Sequence, residues 1–237
     1  MRTFYYNLIS CLKSFMEIDF MSTLHKSTKR DYLARVNDKE FPKAKAAKLA
    51  KKFDFDYWDG DRRICYGGYR YIEGRWQQVA QSIIDHYDLP DKPRVLDIGC
   101  GKGYFLFDFL KILPNADIYG IDISSYALNN AKPEVKNKLT LGSATSLPWE
   151  DNSFDLVISI NTLHCLHSYD LYKALKEVCR VGKKNKYICV ESYRNEVEKA
   201  NLLYWQVSCE AFNTPKEWSW WFDITNYNGD YSYIYFE

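Results

Sequence analysis

Residues 95–103 read Val95-Leu-Asp-Ile-Gly-Cys-Gly-Lys-Gly103. The apolar start of this stretch predicts a strand over Arg94–Ile98, and the residues after it predict a helix over Tyr104–Leu113 that Pro114 stops. Three glycines therefore form a G-x-G-x-G turn between a strand and a helix. Glycine lets the backbone approach a ligand closely, so the turn predicts a ligand-binding loop.

An acidic residue, Asp97, lies two positions before the first glycine of this turn. The spacing is tighter than the G-x-G-x-x-G pattern of nicotinamide-binding turns, where a pyrophosphate sits at the helix N-terminus. A carboxylate at this position repels a pyrophosphate and attracts an ammonium group. S-adenosylmethionine carries such an ammonium group on its amino-acid end.

From residue 94 onward, short apolar runs alternate with helical stretches. The predicted strands are Arg94–Ile98, Asp117–Ile123, Leu139–Ser143, Phe154–Asn161, Tyr187–Ser192 and Tyr231–Phe236. The predicted helices are Tyr104–Leu113, Ser125–Ala131, Tyr169–Val181 and Glu196–Phe212, followed by a capping box at Thr214–Glu217. This alternation predicts an α/β fold, a doubly wound and mostly parallel sheet with helices on both faces.

The ends of the next strands also carry candidate ligand contacts. Asp122 ends the second predicted strand, where a carboxylate can accept hydrogen bonds from both hydroxyls of a ribose. Gly142-Ser-Ala144 follows the third strand, at the expected position of an adenine ring. The fourth strand leads into Asn161-Thr-Leu-His164.

Residues 76–237 resemble the class I S-adenosylmethionine-dependent methyltransferases. The resemblance rests on residues 96–103 together with Gly120-Ile-Asp-Ile-Ser124 and Leu147-Pro-Trp-Glu-Asp-Asn-Ser-Phe-Asp155. It implies a Rossmann-like methyltransferase fold with S-adenosylmethionine as the cofactor. The implied cofactor contacts are Asp97, Gly99, Gly101, Gly103, Asp122, Ile123, Ser143, Ala144 and Asn161. Two departures are Ser143, where an acidic residue often stands, and the single strand predicted after Glu196–Phe212.

A second resemblance covers Phe55-Asp-Tyr-Trp-Asp-Gly60, Tyr66-Gly-Gly-Tyr-Arg-Tyr71 and Gly74-Arg-Trp76. These segments are similar to uncharacterised bacterial methyltransferases found with surface-polysaccharide genes. We therefore divide the chain into a helical and aromatic N-terminal extension with a lid, residues 1–75, and a cofactor-binding domain, residues 76–237. The glycine pair in the lid predicts a mobile aromatic loop over the cofactor, although an ordinary aromatic-packed turn is an open alternative. The candidate substrate contacts there are Tyr66, Tyr69, Arg70 and Arg75.

The charge of the chain is unevenly distributed. The whole chain of 237 residues has a net charge of +1, but residues 1–52 carry +7 and the remainder carries −6. The basic segment Lys43–Lys52 predicts a helix that is either a solvated face or an attractant for an anionic substrate. Residues 1–20 hold none of the motifs, so we expect their deletion to leave cofactor binding unchanged. The seven cysteines form no C-x-x-C pair, which favours reduced thiols in the cytoplasm.

The carboxyl edge of the predicted sheet, where the methyl acceptor is expected to bind, offers one candidate general base. His164 follows the fourth strand, and its ordinary pKa near 6.5 suits a general base, although a structural histidine is an open alternative. His167 lacks the further ligands of a metal site, so no metal is expected. Glu191 and Tyr193, at the end of the fifth strand, are further candidate substrate contacts.

These observations predict methyl transfer to a small polar acceptor. The preferred acceptor is a hydroxyl of a sugar, a sugar nucleotide or a phosphorylated precursor of a surface polysaccharide. The motif for methylating exocyclic base amines is missing after the fourth strand, and the net charge does not favour a nucleic-acid partner. No apolar run is long enough to span a membrane. An RNA methyltransferase that uses the basic leader, and a non-catalytic S-adenosylmethionine-binding protein, are the alternatives.

Overall fold

The computed structural model describes residues 16–25 and 31–237 and contains one six-stranded sheet. All neighbouring strands are parallel, in the order β3-β2-β1-β4-β5-β6. The strands are β1 (Arg94–Ile98), β2 (Asp117–Asp122), β3 (Leu139–Leu141), β4 (Phe154–Ile160), β5 (Gly182–Glu191) and β6 (Asp230–Ile234). The strand order reverses between β1 and β4, which is where open α/β sheets bind ligands.

Helices cover both faces of the sheet. They are α1 (Ser22–His25), α2 (Ala34–Asn37), α3 (Lys43–Ala50), α4 (Phe55–Trp58), α5 (Gln77–Tyr87), α6 (Tyr104–Ile112), α7 (Ser125–Asn129), α8 (Pro133–Lys136), α9 (Ser168–Val181), α10 (Glu196–Trp205) and α11 (Pro215–Thr225). Helices α5 and α6 pack in one core cluster through residues such as Ile83 and Phe109. Helices α9 and α11 pack in the other through Leu175 and Trp218. The predicted doubly wound fold is confirmed.

Several predicted boundaries differ from the observed ones. Strand β5 begins at Gly182, because that residue already pairs with Phe154 ahead of an irregularity in the ladder. The helix predicted over Ser125–Ala131 ends at Asn129, and Pro133 occupies the first turn of α8, a position where a missing N–H costs nothing. The helix predicted to reach Phe212 ends at Trp205. The capping box of Thr214 and Glu217 is confirmed.

The sheet edge at β6 is a single parallel strand, as the sequence predicted. A short segment of residues 16–21 lies beside it: the Ile18 N–H donates to the Tyr231 carbonyl at 2.8 Å, and Met21 is fully buried in the core. Phe20 also packs edge-on against Tyr187, with 4.9 Å between the ring centroids. Deletion of residues 1–20 would remove these contacts of Ile18 and Phe20, but its effect on cofactor binding stays a prediction, and residues 1–15 lie outside the described residues.

The N-terminal extension packs on the cofactor domain through a small aromatic cluster. Ala46 and Ala50 of α3 are fully buried in this cluster with Tyr57 and Trp58 of α4, and Ala127 of α7 lies on the other side. The predicted basic helix therefore exposes only part of its surface. Within residues 16–25 and 31–237, no helix has the length and apolar character needed to cross a membrane.

Candidate active site

The glycine-rich turn connects β1 to α6, and each of its glycines has a positive φ. At Gly99, an added Cβ would lie 1.9 Å from Thr162 Oγ1, so only glycine fits. At Gly103, which caps the N-terminus of α6, an added Cβ would lie 2.8 Å from Val135 Cγ2. Gly103 does not line the cavity described next. Its cofactor contact stays a prediction, and what the geometry requires of Gly103 is the close approach of α8 to the turn.

A cavity of about 420 Å³ opens at the carboxyl ends of β1, β2, β4 and β5. It is large enough for a small ligand, since such pockets usually measure about 300 to 1,000 Å³. Eight of the predicted cofactor residues line it: Asp97, Gly99, Gly101, Asp122, Ile123, Ser143, Ala144 and Asn161. These residues lie at the ends of four strands, β1, β2, β3 and β4, which the fold brings together at the cavity.

The Asp97 carboxylate is the main electrostatic feature of one end of the cavity. The residue is only 5% exposed, and no hydrogen-bond donor to its carboxylate occurs in the described part of the chain. Burial, reinforced by the neighbouring Asp122, raises the pKa of Asp97 to about 8. A cation would relieve this cost by stabilising the ionised form. The carboxylate therefore fits the ammonium group of S-adenosylmethionine.

Asp122 joins the end of β2 to the glycine turn. Its Oδ2 accepts a hydrogen bond from the Gly101 N–H, and its Oδ1 accepts one from the Ser124 N–H, each at 2.8 Å. Burial raises the pKa of Asp122, while these backbone donors lower it. Each oxygen retains acceptor capacity toward the cavity, so the carboxylate can accept from ribose hydroxyls.

The N-terminal extension covers the same turn from the other side. An added Cβ at Gly101 would lie 2.8 Å from the Trp58 ring, and Trp58 Nε1–H donates to Ser124 Oγ at 2.9 Å. Lys102, between two glycines of the turn, is almost fully buried. Its ammonium group donates to both oxygens of Asp59, at 2.8 and 2.7 Å, and to the Tyr69 carbonyl at 2.9 Å. The extension and the turn are thus directly bonded to each other.

The other end of the cavity contains His164, from the 3₁₀ turn Leu163–Cys165, and Glu191 at the end of β5. The Glu191 N–H donates to His164 Nδ1 at 3.4 Å, and His164 Nε2 lies 3.4 Å from Glu191 Oε2. Burial lowers the pKa of His164 to about 3, well below the 6.5 that the sequence suggested. A neutral ring that accepts at Nδ1 carries its proton on Nε2 and can donate it to the carboxylate. Gln206 donates to the second carboxylate oxygen of Glu191.

The predicted substrate contacts are partly brought together. Tyr66, Tyr69, Arg75 and Glu191 line the cavity, whereas Arg70 lines an adjoining depression with Arg62 and Arg75. Tyr193 lines neither, so its substrate contact stays a prediction that the cavity does not support. Beyond β5 its ring is buried in the core, with the Lys199 ammonium 5.3 Å from the ring centroid.

Metal binding has no support in the described residues, where no group of three potential ligands occurs. His167 is exposed and lies 3.7 Å from Glu210. Sequence reasoning missed several cavity residues that converge from distant parts of the chain. They are Arg35, Tyr57, Trp58, Arg62, Cys165, Trp205, Gln206 and Ser208. The aromatic and basic character of the N-terminal extension was the sequence signal for the four that belong to it, Arg35, Tyr57, Trp58 and Arg62.

Comparison with known proteins shows which family this chain is related to. The family model described as a methyltransferase domain matches residues 90–227. An uncharacterised methyltransferase of Schizosaccharomyces pombe is 33% identical over 51% of this chain and 50% of its own length. A demethylmenaquinone methyltransferase of Symbiobacterium thermophilum is 27% identical over 56% of this chain and 57% of its own length. The human mitochondrial arginine-hydroxylase NDUFAF5 is 34% identical over 43% of this chain and 30% of its own length.

Among solved structures, the YcgJ protein of Bacillus subtilis has a TM-score of 0.51 and 24% identity, over 62% of this chain and 66% of its own. This likeness concerns the fold. The curated relatives named above are matched over about a third to somewhat more than half of their own length. The family match covers more than half of the chain, and the Asp97 and Asp122 carboxylates line one cavity at the carboxyl ends of β1 and β2. The chain belongs to the class I methyltransferase domain family, which uses S-adenosylmethionine as the methyl donor.

Proposed function

We propose that the protein transfers a methyl group from S-adenosylmethionine to a hydroxyl of a small polar acceptor. The preferred acceptors are a sugar, a sugar nucleotide or a phosphorylated precursor of a surface polysaccharide. The main observation that supports this proposal is a single cavity, which is lined by Asp97 and Asp122 at one end and by His164 and Glu191 at the other. The six described cysteines are all free thiols, which supports the cytoplasm as the compartment.

The bound cofactor supplies an activated methyl group on a sulfonium, so the protein has to position the acceptor and exclude water. Trp58 and Tyr69 of the N-terminal extension cover the cofactor end and limit access of water. Asp97 holds the ammonium group, and Asp122 holds the ribose while it fixes the turn. The burial of Asp97 and the hydrogen bonds that Asp122 accepts from Gly101 and Ser124 support these roles.

A hydroxyl acceptor must also lose its proton. His164 is the base that the sequence favours, but its Nδ1 accepts a backbone N–H, which leaves its proton on Nε2, 3.4 Å from Glu191 Oε2. We therefore assign proton acceptance to the Glu191 carboxylate and make His164 the residue that positions it. Gln206, on the second oxygen of the carboxylate, restricts its rotation.

The test begins with cell extracts and a methyl-labelled cofactor, followed by mass analysis of the labelled product. With that acceptor, Glu191→Gln should lower turnover by about 10² to 10⁴, because it removes a general base at nearly constant volume. His164→Ala should lower turnover less, and S-adenosylhomocysteine affinity should change little in either variant.

Three results would change the assignment. A larger loss in His164→Ala than in Glu191→Gln would return the base to the imidazole. Near-normal turnover in both variants would point to an acceptor that needs less proton removal, such as an amine or a carboxylate. Tight cofactor binding without a labelled product from any extract would support a non-catalytic binding protein instead.

A further inference from the structure

The arginines of the described chain fall into two groups. Those with an ion pair to a carboxylate within 4.0 Å are Arg63, Arg94, Arg180 and Arg194. Those for which residues 16–25 and 31–237 provide no such pair are Arg35, Arg62, Arg70 and Arg75. Every member of the second group lines the active-site cavity or the depression that adjoins it. The cavity and the depression therefore collect four guanidinium groups that have no carboxylate within ion-pair distance among the described residues.

Arg35 and Arg62 form the tightest part of this group. Arg35 is 7% exposed, and its guanidinium donates to the Trp205 carbonyl at 2.8 Å and to the Cys65 carbonyl at 3.2 Å. Arg62 donates to the same Cys65 carbonyl at 2.5 Å. Two guanidinium groups thus share one neutral acceptor. Burial lowers the pKa of Arg35, and the positive charge of Arg62 adds to this effect.

A third cation lies close by. Lys43 at the start of α3 donates to the Gln206 carbonyl at 2.6 Å. Burial, with Arg35 as the next cause, lowers the pKa of Lys43 to about 8. The carbonyl dipoles of Trp205 and Gln206 therefore carry the hydrogen bonds that a carboxylate usually provides for such groups.

The location separates this cluster from the cofactor residues. Arg35 hydrogen bonds to the end of α10, next to Gln206, which contacts Glu191. Arg75 has different surroundings. Burial raises the pKa of Tyr69, Arg75 lowers it and Asp97 raises it, so Arg75 and Asp97 both lie near the same tyrosine. We keep Arg75 outside the cluster because it lies toward the cofactor end, where the carboxylate of the amino-acid moiety needs a cation of its own.

We propose that Arg35 and Arg62 bind a phosphate group of the methyl acceptor, as a phosphate monoester or a diphosphate. Two converging guanidinium groups match the charge and the oxygen geometry of a phosphate, because each presents a planar set of donors. Arg62 is exposed and Arg35 is buried, and both line the cavity. The inference rests on the proposed function, because it narrows the acceptor to a phosphorylated molecule that places a hydroxyl near Glu191.

The test measures binding of inorganic pyrophosphate by calorimetry in the presence of saturating S-adenosylhomocysteine, so the cofactor end is occupied. The variants are Arg62→Gln and its neighbour Arg63→Gln, which makes the same charge change at a residue paired with Asp61 and Glu40. Wild type and Arg63→Gln should bind pyrophosphate equally. Arg62→Gln should bind it at least about tenfold more weakly, with unchanged S-adenosylhomocysteine affinity. Arg35→Gln should act in the same direction if thermal melting shows that it folds.

Equal pyrophosphate affinity in Arg62→Gln and Arg63→Gln would overturn the inference, and so would a wild-type protein that binds no pyrophosphate saturably. Tighter binding of malonate than of pyrophosphate would also overturn it, in favour of a carboxylate acceptor. Because this readout needs no turnover, its failure is distinct from that of the proposed function. An Arg62-dependent pyrophosphate site would stand even if no methylated product were found.

Discussion

The pKa of Asp97 gives the cofactor site a testable pH dependence. Burial and Asp122 raise this pKa from 3.8 to about 8 in the free protein. An ammonium group binds best to the ionised carboxylate, so binding at lower pH first requires loss of a proton. The affinity for S-adenosylhomocysteine should therefore increase between about pH 6 and pH 8, by up to about tenfold per pH unit. Calorimetry across this range is the measurement.

The matched variant is Asp97→Asn, which should bind weakly and without this dependence. The free energy of unfolding of the cofactor-free protein has the opposite pH dependence, because it falls as pH rises. A carboxyl whose folded pKa is raised stabilises the free protein below its unfolded pKa of about 3.9, and this contribution is lost as pH rises toward 8. Cofactor-free wild type should thus lose free energy of unfolding relative to Asp97→Asn over that window. A pH-independent affinity in wild type would show that Asp97 is already ionised without ligand.

The site residues that the sequence could predict belong to local motifs. Asp97 lies near the end of β1, Gly99 directly follows that strand, and Asp122 ends β2. The strand pattern alone therefore brings them to one edge of the sheet. Arg35 and Gln206 are 171 positions apart in the sequence, and no periodicity signals that they approach each other. Their convergence depends on how the N-terminal extension packs, which is a tertiary property.

At the level of elements, the segment of residues 16–21 contributes to the core next to β6. Met21 is 1% exposed, while Met16 is 52% exposed five positions earlier. Met21→Ala should lower the free energy of unfolding by about 2–5 kcal/mol, because it removes a buried side chain and leaves a cavity. Met16→Ala, the matched control, should change it by less than about 0.5 kcal/mol. Chemical denaturation of both variants measures the difference.

Equal stabilities of the two methionine variants would mean that the segment adds nothing to the core. The segment was invisible to sequence reasoning because it has no helix or strand periodicity of its own. By contrast, β1 was predicted with its observed boundaries, since its apolar run ends at a glycine turn. The early start of β5 was missed because Lys183, Lys184 and Lys186 give no apolar signal.

At the level of the whole molecule, charge distinguishes the proposed acceptor from RNA. The net charge is +1, and the proposed phosphate contacts are two arginines, Arg35 and Arg62, that line the cavity. The KM of a small acceptor should therefore rise by less than about tenfold between about 50 and 200 mM salt, whereas 6–10 phosphate contacts to a nucleic acid would cost about 10³ or more. Steady-state kinetics at the two salt concentrations is the measurement. A steep rise would favour an RNA substrate bound by the basic leader.

The bond between Lys102 and Asp59 has a consequence for the kinetics of ligand exchange. Lys102 belongs to the turn that holds the cofactor, and Asp59 belongs to the segment that covers it. Withdrawal of that segment would separate an ammonium from its carboxylate, and the Trp58 hydrogen bond to Ser124 would break in the same movement. An ion pair with one buried partner is costly to split. We therefore expect the ion pair between Lys102 and Asp59 to slow the release of S-adenosylhomocysteine. Product release would then be the rate-limiting step of the catalytic cycle.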